Sequence, residues 1–380
     1  MILPNLKIAV FLSIIMALAT TNIEAQTAIN YTSYLIKDDN AFKNKEAFEE
    51  WINNSTLLLG HSISAETYQL QGFYSLNLLN YANNNDLSNY AHKIGLAGVF
   101  KNVFKNDNYI LDVRAFARFN KFQEKYIYYN VNGYNLNISI QNNASLEKNY
   151  SFGLALTRDQ YKEFTDLNNS SYRIWGKYQR FFKSKTSITG EASIGSKNYV
   201  NQSVIKYYGL LRHSEEPVRT SIVSLSGNIG QSITSSIGIN VGLGGQWFIT
   251  DPIASYSEGI YYYTENDLYD DPYSYQDRYI SLQLTKQFAV GFQGKLGYKY
   301  QLKDYAGTPA LDENGELIGE TREDTRYEYF LLISKNIKTS WKFPGSITLF
   351  FNYMYRNNPS NDPYYNFDDT VGLLGFSIGN

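Results

Sequence analysis

Residues 291–302 read GFQGKLGYKYQL, with Phe292, Leu296, Tyr298, Tyr300 and Leu302 on one parity and Gln293, Lys295, Lys299 and Gln301 on the other. A period of two puts the two sets on opposite faces of a β-strand. A soluble sandwich strand alternates in the same way, so the stretch poses a question: does its apolar face meet a protein core or lipid? The pattern recurs along the chain. In YILDVRAFARFNKF (109–122), Leu111, Val113, Ala115, Ala117 and Phe119 oppose Asp112, Arg114, Arg118 and Asn120. In SIGINVGLGGQWFI (236–249), Ile237, Ile239, Val241, Leu243, Trp247 and Ile249 oppose Ser236, Asn240 and Gln246. SITLFFNYMYRN (346–357) and TSITGEASIG (186–195) repeat the form, although Phe350 and Met354 share the polar parity of the first.

A chain of 380 residues is long enough for two ordinary domains or one large barrel. Its mean hydropathy of -0.38 excludes a polytopic helical membrane protein. The 35 Tyr and 22 Phe favour strands over helices. A net charge of -2 gives no electrostatic case for nucleic acid. With no cysteine, disulfides, thiolate metal sites and c-type haem attachment are ruled out.

The first 25 residues, MILPNLKIAVFLSIIMALATTNIEA, carry Lys7, an apolar run at 8–19 and a small-residue cleavage site ending at Ala25. This is the form of a secretory signal removed ahead of Gln26, and the apolar run is too short to span a bilayer comfortably.

From Gln26 to the C-terminus, period-2 segments predict about sixteen strands. They lie near 27–37, 53–63, 67–81, 91–104, 109–122, 134–142, 150–160, 170–182, 185–196, 220–233, 236–249, 277–288, 291–303, 325–336, 345–356 and 368–378. The segment DDNAFKNKEAFEEW (38–51) also reads as a short helix. Residues 26–66 would then be a periplasmic extension or plug, leaving fourteen strands. The connections alternate in length. Short ones fall near 64–66, 105–108, 183–184, 234–235 and 289–290, with a looser one at 336–344. Long ones fall near 38–52, 197–219, 251–276, 304–324 and 357–366. Short turns at one end and long loops at the other are expected of a transmembrane barrel. A sandwich or propeller has no reason to sort its loops by parity. Runs of ten to fourteen residues match the roughly 9–11 that a tilted strand needs to cross a bilayer. Tyrosines at strand ends, as in EKYIYYN (124–130) and IYYYTEN (260–266), fit interfacial girdles.

On signal peptide, alternation and loop parity, the mature chain resembles the porin-like outer-membrane barrels of Gram-negative bacteria. The resemblance implies an all-β, antiparallel up-and-down barrel, inserted by the barrel-assembly machinery into outer-membrane lipid. The chain departs from the pattern at its end, LLGFSIGN, where such barrels commonly carry a terminal aromatic residue.

No catalytic or cofactor site is expected. The histidines, His61, His92 and His213, read as lumen or loop residues, and no G-x-S-x-G nucleophile motif occurs. The acidic stretches TENDLYDDPYSYQD (264–277) and LDENGELIGETRED (311–324) lack calcium-loop spacing and read as solvated loops. Within the second, Asn314-Gly315 marks a hairpin tip. The inferred lumen face carries Lys93, Lys101, Arg114, Arg118, Arg173, Lys177, Lys295, Lys299 and Lys303 against Asp112, Glu191 and Glu328. Such a face either favours anions in a narrow pore or pairs with carboxylates of inward-folded loops. The expected function is passive passage of small hydrophilic solutes, with anions preferred. The alternative is a non-catalytic barrel that anchors, exports or houses a partner protein, and a homo-oligomer is compatible with either.

Overall fold

The computed structural model describes residues 24–105, 108–142, 145, 147–207, 213–250, 271–340 and 345–379. These form β1 (Glu24–Asp38), β2 (Glu50–Ser64), β3 (Tyr68–Tyr81), β4 (Asn89–Phe100), β5 (Tyr109–Phe122), β6 (Val131–Asn142), β7 (Lys148–Tyr161) and β8 (Asn169–Phe181). The second half adds β9 (Thr186–Tyr207), β10 (His213–Ser232), β11 (Ile237–Phe248), β12 (Gln276–Gln287), β13 (Phe292–Leu311), β14 (Leu317–Lys338), β15 (Ser346–Asn358) and β16 (Phe367–Gly379). Each strand pairs antiparallel with its neighbour in sequence, and β1 also pairs with β16, so the sixteen strands close into a barrel. Closure leaves no edge of unpaired backbone groups, which hydrocarbon would penalise by several kcal/mol per group.

The seam excludes the fourteen-strand reading. β1 meets β16 from Asn30↔Gly379 to Asp38↔Val371, and meets β2 from Glu24↔Ser64 to Asp38↔Glu50. Residues 26–66 therefore contain two wall strands. The stretch 39–49 between them forms bends and turns rather than a helix. Residues 1–23, most of the expected signal segment, lie outside the described residues.

Two segments expected to be loops are strands. β9 and β10 pair out to Tyr207↔His213, with an irregularity between Pro217 and Arg219. β13 and β14 pair out to Leu311↔Leu317. In sequence these extensions, KNYVNQSVIKY (197–207) and DYAGTPAL (304–311) among them, lack the regular apolar alternation that marks the other strands. The tip at 312–316 closes where the Asn-Gly pair predicts, with Gly315 at φ 81° and the Asp312 N–H donating to the Glu316 carbonyl at 2.8 Å.

Register sorts the side chains as the alternation predicts. On the outward face Ile94, Ile174, Leu243, Leu296 and Leu374 are each more than half exposed, at 58, 56, 57, 56 and 63%. No protein core covers them, so the apolar parity of the opening stretch forms the surface suited to lipid. Inward-facing rings lie across glycines of neighbouring strands. A methyl group at Gly153 would come within 2.5 Å of Trp175, at Gly297 within 2.1 Å of Phe330, and at Gly375 within 2.5 Å of Phe350. The missing Cβ lets each ring lie against the wall instead of projecting into the lumen.

Of the two expected girdle stretches, 124–130 takes a different place. Residues Glu124–Tyr129 form a 3-10 turn, and its Tyr126 and Tyr129 pack against an inner apolar cluster. Residues 260–266 lie outside the described residues. An outward tyrosine band occurs instead on β13–β15, where Tyr298–Tyr329 and Tyr300–Tyr327 have ring centroids 4.9 and 5.3 Å apart.

Candidate pore interior and its loop-side mouth

The inward residues of the wall follow from pairing. Lys295, Lys299 and Lys303 stand opposite Thr285, Ser281 and Asp277 of β12, and opposite Leu332, Glu328 and Asp324 of β14. Lys93 stands opposite Arg118, and Arg114 opposite Ala97. Arg173 and Lys177 stand opposite Gly195 and Glu191. All eight residues thus lie on the inward parity of one closed wall. Lys101 lies just beyond β4, where its N–H donates to the Thr67 carbonyl at 2.7 Å.

Their surroundings differ. Arg114, in the half of β5 nearer its short turn, is 61% exposed and holds Asp112 at 2.8 Å, while Arg173, nearer the loop-side end of β8, is 47% exposed and holds Glu191 at 2.7 Å. Lys93 and Arg114 line a cavity of about 460 Å³ together with Phe73, Phe116, Gln69 and Gln71. The Lys93 ammonium lies 4.0 Å from the centre of the Phe116 ring. Lys177 is also exposed.

Toward the loop-side mouth the same parity becomes buried. Arg118 is ion-paired with Asp159 at 3.2 Å, with side chains only 9 and 11% exposed. Lys303 is buried, its ammonium 4.0 Å from the centre of the Tyr275 ring. The Lys197 ammonium meets Asp271 of the β11–β12 connection, and Arg322 is paired with Asp324 and stacked 3.4 Å from the Tyr365 ring centre. Inward Ile36, Ile52, Leu79, Tyr81 and Val371 form a buried apolar cluster with Leu87, against which Phe42, Phe122, Tyr126 and Tyr129 pack. The lumen is therefore packed around these loop-side residues, while Arg114, Arg173 and Lys177 stay exposed.

Of the two sequence readings for the interior cations, the structure supplies parts of each. Arg114, Arg118 and Arg173 pair with carboxylates, yet those carboxylates belong to β5, β7 and β9 of the wall rather than to loops. Lys197 is the residue paired to a loop carboxylate, and periodicity had not singled it out. The inward rings were missed as well. The signal for them was an aromatic residue on the polar parity with a glycine beside it across the strand pair, as in Trp175↔Gly153 and Phe330↔Gly297.

His61 and His92 are not lumen residues. His61 and His92 share the parity of outward Leu59 and Ile94, and the Tyr74 hydroxyl lies 2.7 Å from His92 Nδ1. His213 begins β10, and its side chain lies outside the described residues. Asp38, Asp39 and Asp369 form a cluster of carboxylates, but the Lys43 ammonium already contacts Asp38 and Asp369 at 2.8 and 2.6 Å.

Comparison with known proteins adds two findings. Residues 247–377 are similar to the family described as surface lipoprotein assembly modifier. The fold is similar to OccAB1 of Acinetobacter baumannii, with a TM-score of 0.54 and 9% identity over 94% of this chain and 96% of that one. OprD of Pseudomonas aeruginosa gives 0.52 at 9% identity, covering 94 and 95%, and OccK8 (OprE) of the same organism gives 0.50 at 10%, covering 94 and 98%. No curated protein matches the sequence. The chain is thus a closed sixteen-strand barrel whose fold is similar to that of Gram-negative outer-membrane porins.

Proposed function

We propose that the protein is an outer-membrane channel for passive diffusion of small hydrophilic solutes, with anions preferred. A leader ending near Ala25 would be removed on export, and the barrel-assembly machinery would insert the rest with the long loops outward. The observation that carries the reading is the set of inward cations that stay at least partly exposed: Lys93, Arg114, Arg173, Lys177, Lys295 and Lys299, against Asp112, Glu191 and Glu328. A barrel of this strand number is wide enough for an aqueous lumen. Lys295 and Lys299 lie about 13 Å apart along one strand. That exceeds the Debye length of about 8 Å at physiological salt, but low-dielectric walls focus the field inside a pore. No catalytic step is part of this reading.

Its test is the reversal potential of the purified protein in a planar bilayer under a salt gradient. Replacing Lys295 and Lys299 together with Glu should shift selectivity toward cations, most at low salt. An unchanged reversal potential in a conducting double variant would remove these lysines from the permeation path.

A second reading, a barrel that anchors or exports a partner protein, draws support from the match to surface lipoprotein assembly modifiers over 247–377. The extended β9–β10 and β13–β14 hairpins would then present surface to the partner. Absence of conductance in the parent protein, together with surface lipoprotein lost when the protein is deleted, would favour it.

A further inference from the structure

The stretch between β1 and β2 is bound into the mouth along its length. Its entry is tied to β16: the Asp39 N–H donates to the Thr370 carbonyl at 3.2 Å, and the Thr370 N–H donates to Asp39 Oδ1 at 2.6 Å. Asn40 Nδ2 donates to the carbonyls of Asn44 at 2.8 Å and Asp368 at 3.1 Å. The far side rests on the β15–β16 loop, with Asn44 Nδ2 donating to the Tyr364 hydroxyl at 3.2 Å and the Lys45 N–H to the Tyr364 carbonyl at 3.0 Å. Its exit is fixed by buried Glu50, which accepts from the N–H groups of Asn83 and Asn84 at 2.7 and 3.0 Å.

At the centre is Lys43. Its side chain is 5% exposed, and its ammonium meets both oxygens of Asp38, at 2.9 and 2.8 Å, and Asp369 at 2.6 Å. Arg356 reaches the other Asp369 oxygen at 3.4 Å and Glu328 at 3.5 Å. Lys43 and Ala47 have φ of 49° and 44°, a left-handed backbone unfavourable for residues with a Cβ. Surrounding contacts must hold such a conformation in place. Phe42, next to Lys43, packs on the apolar cluster that contains Ile52.

We propose that residues 39–49 are a strap closing this side of the loop-side mouth, and that Lys43, seated between Asp38 and Asp369, is its latch. One lysine is shared between two buried carboxylates, so withdrawing it leaves both with less compensation at once. Breaking a buried pair from one side is strongly unfavourable, and here the strap is free to leave while the wall carboxylates gain water. The latch is thus a two-position element: seated, it covers the cluster around Ile52, and released, it opens the lumen wall beneath.

The strap's effect on ion flow rests on the channel reading, so the test uses a readout that does not. The chain has no cysteine, which makes an introduced thiol the single target. In Ile52→Cys, the thiol lies in the covered cluster and should react slowly with a bulky membrane-impermeant maleimide applied to intact cells. Adding Lys43→Met should raise the labelling rate roughly tenfold, as expected for a shift in the seated population. Lys43→Arg, which keeps the charge, should stay near the parent rate. Asn44→Ala, which removes the side-chain tether to the Tyr364 hydroxyl and leaves the buried ions intact, should give a smaller increase of roughly threefold. Heat-modifiable gel mobility reports folding, and if Lys43→Met does not fold, Asn44→Ala decides. Unchanged labelling in the folded variants would overturn the strap. Faster labelling with no ionic current in any variant would uphold the strap and overturn the channel.

Discussion

Arg114 and Arg118 lie four residues apart on the same face of β5, yet they occupy different environments. Arg114 is 61% exposed and grips Asp112 of its own strand, while Arg118 is 9% exposed and grips Asp159, 41 residues away on β7. About 13 Å along one strand separates a solvated half of the lumen from a packed one. A pore wall can thus hold the same residue type as a source of field at one depth and as a structural tie at another. Burial and the partner's strand determine which role it takes.

The largest effect should come from the packed half. Arg118→Ala leaves Asp159 buried without its main partner and should cost about 3–5 kcal/mol in a denaturant titration of the barrel in micelles. A loss below about 1 kcal/mol would show that this depth is as wet as that of Arg114. Next is the contrast between wall faces. Leu243→Arg puts a charge against lipid and should cost about 2–4 kcal/mol, whereas inward Asn240→Arg should change stability by less than about 1 kcal/mol. Equal damage from both would invert the assigned faces. Arg114→Ala, in the solvated half, should cost only about 0–1 kcal/mol and should reduce anion preference.

The smallest effect lies beyond the barrel, at the β13–β14 tip. The N–H groups of Glu316 and Asn314 hold the Asp312 carboxyl below the usual carboxylate range. A depressed folded value means that the contribution is present above the unfolded value of about 3.9 and is lost as pH falls through the folded one. Amide exchange at Asn314 and Glu316 should therefore stay slow relative to Asp312→Ala at neutral pH and converge with it in acid. Equal protection at neutral pH would show that Gly315 alone sets the turn.

The wall was legible because its rules are local. Alternation in 109–122 and 236–249 places each side chain on a face whatever the partner strand does, and an up-and-down order asks only that neighbours in sequence pair. The same logic located the inward cations and the Asn314-Gly315 turn. It failed at 197–219 and 304–324, where strands run on without a regular apolar alternation; at 38–51 the reading as a long connection between two strands held, and the alternative of a helix did not. His61 and His92 were misplaced because residue chemistry was weighed above parity.

By itself, then, the sequence determined a closed wall, its strand number to within the 26–66 ambiguity, and, on the cleanly alternating strands, which residues face in or out. The tertiary structure alone decided which inward charges are accessible, that Asp159 rather than a loop carboxylate takes Arg118, and that Lys43 sits between Asp38 and Asp369. The physical reason is range. A strand's faces are fixed by a two-residue repeat, whereas the filling of the lumen depends on groups such as Lys43 and Asp369 meeting across a barrel that exists only once β1 has paired with β16.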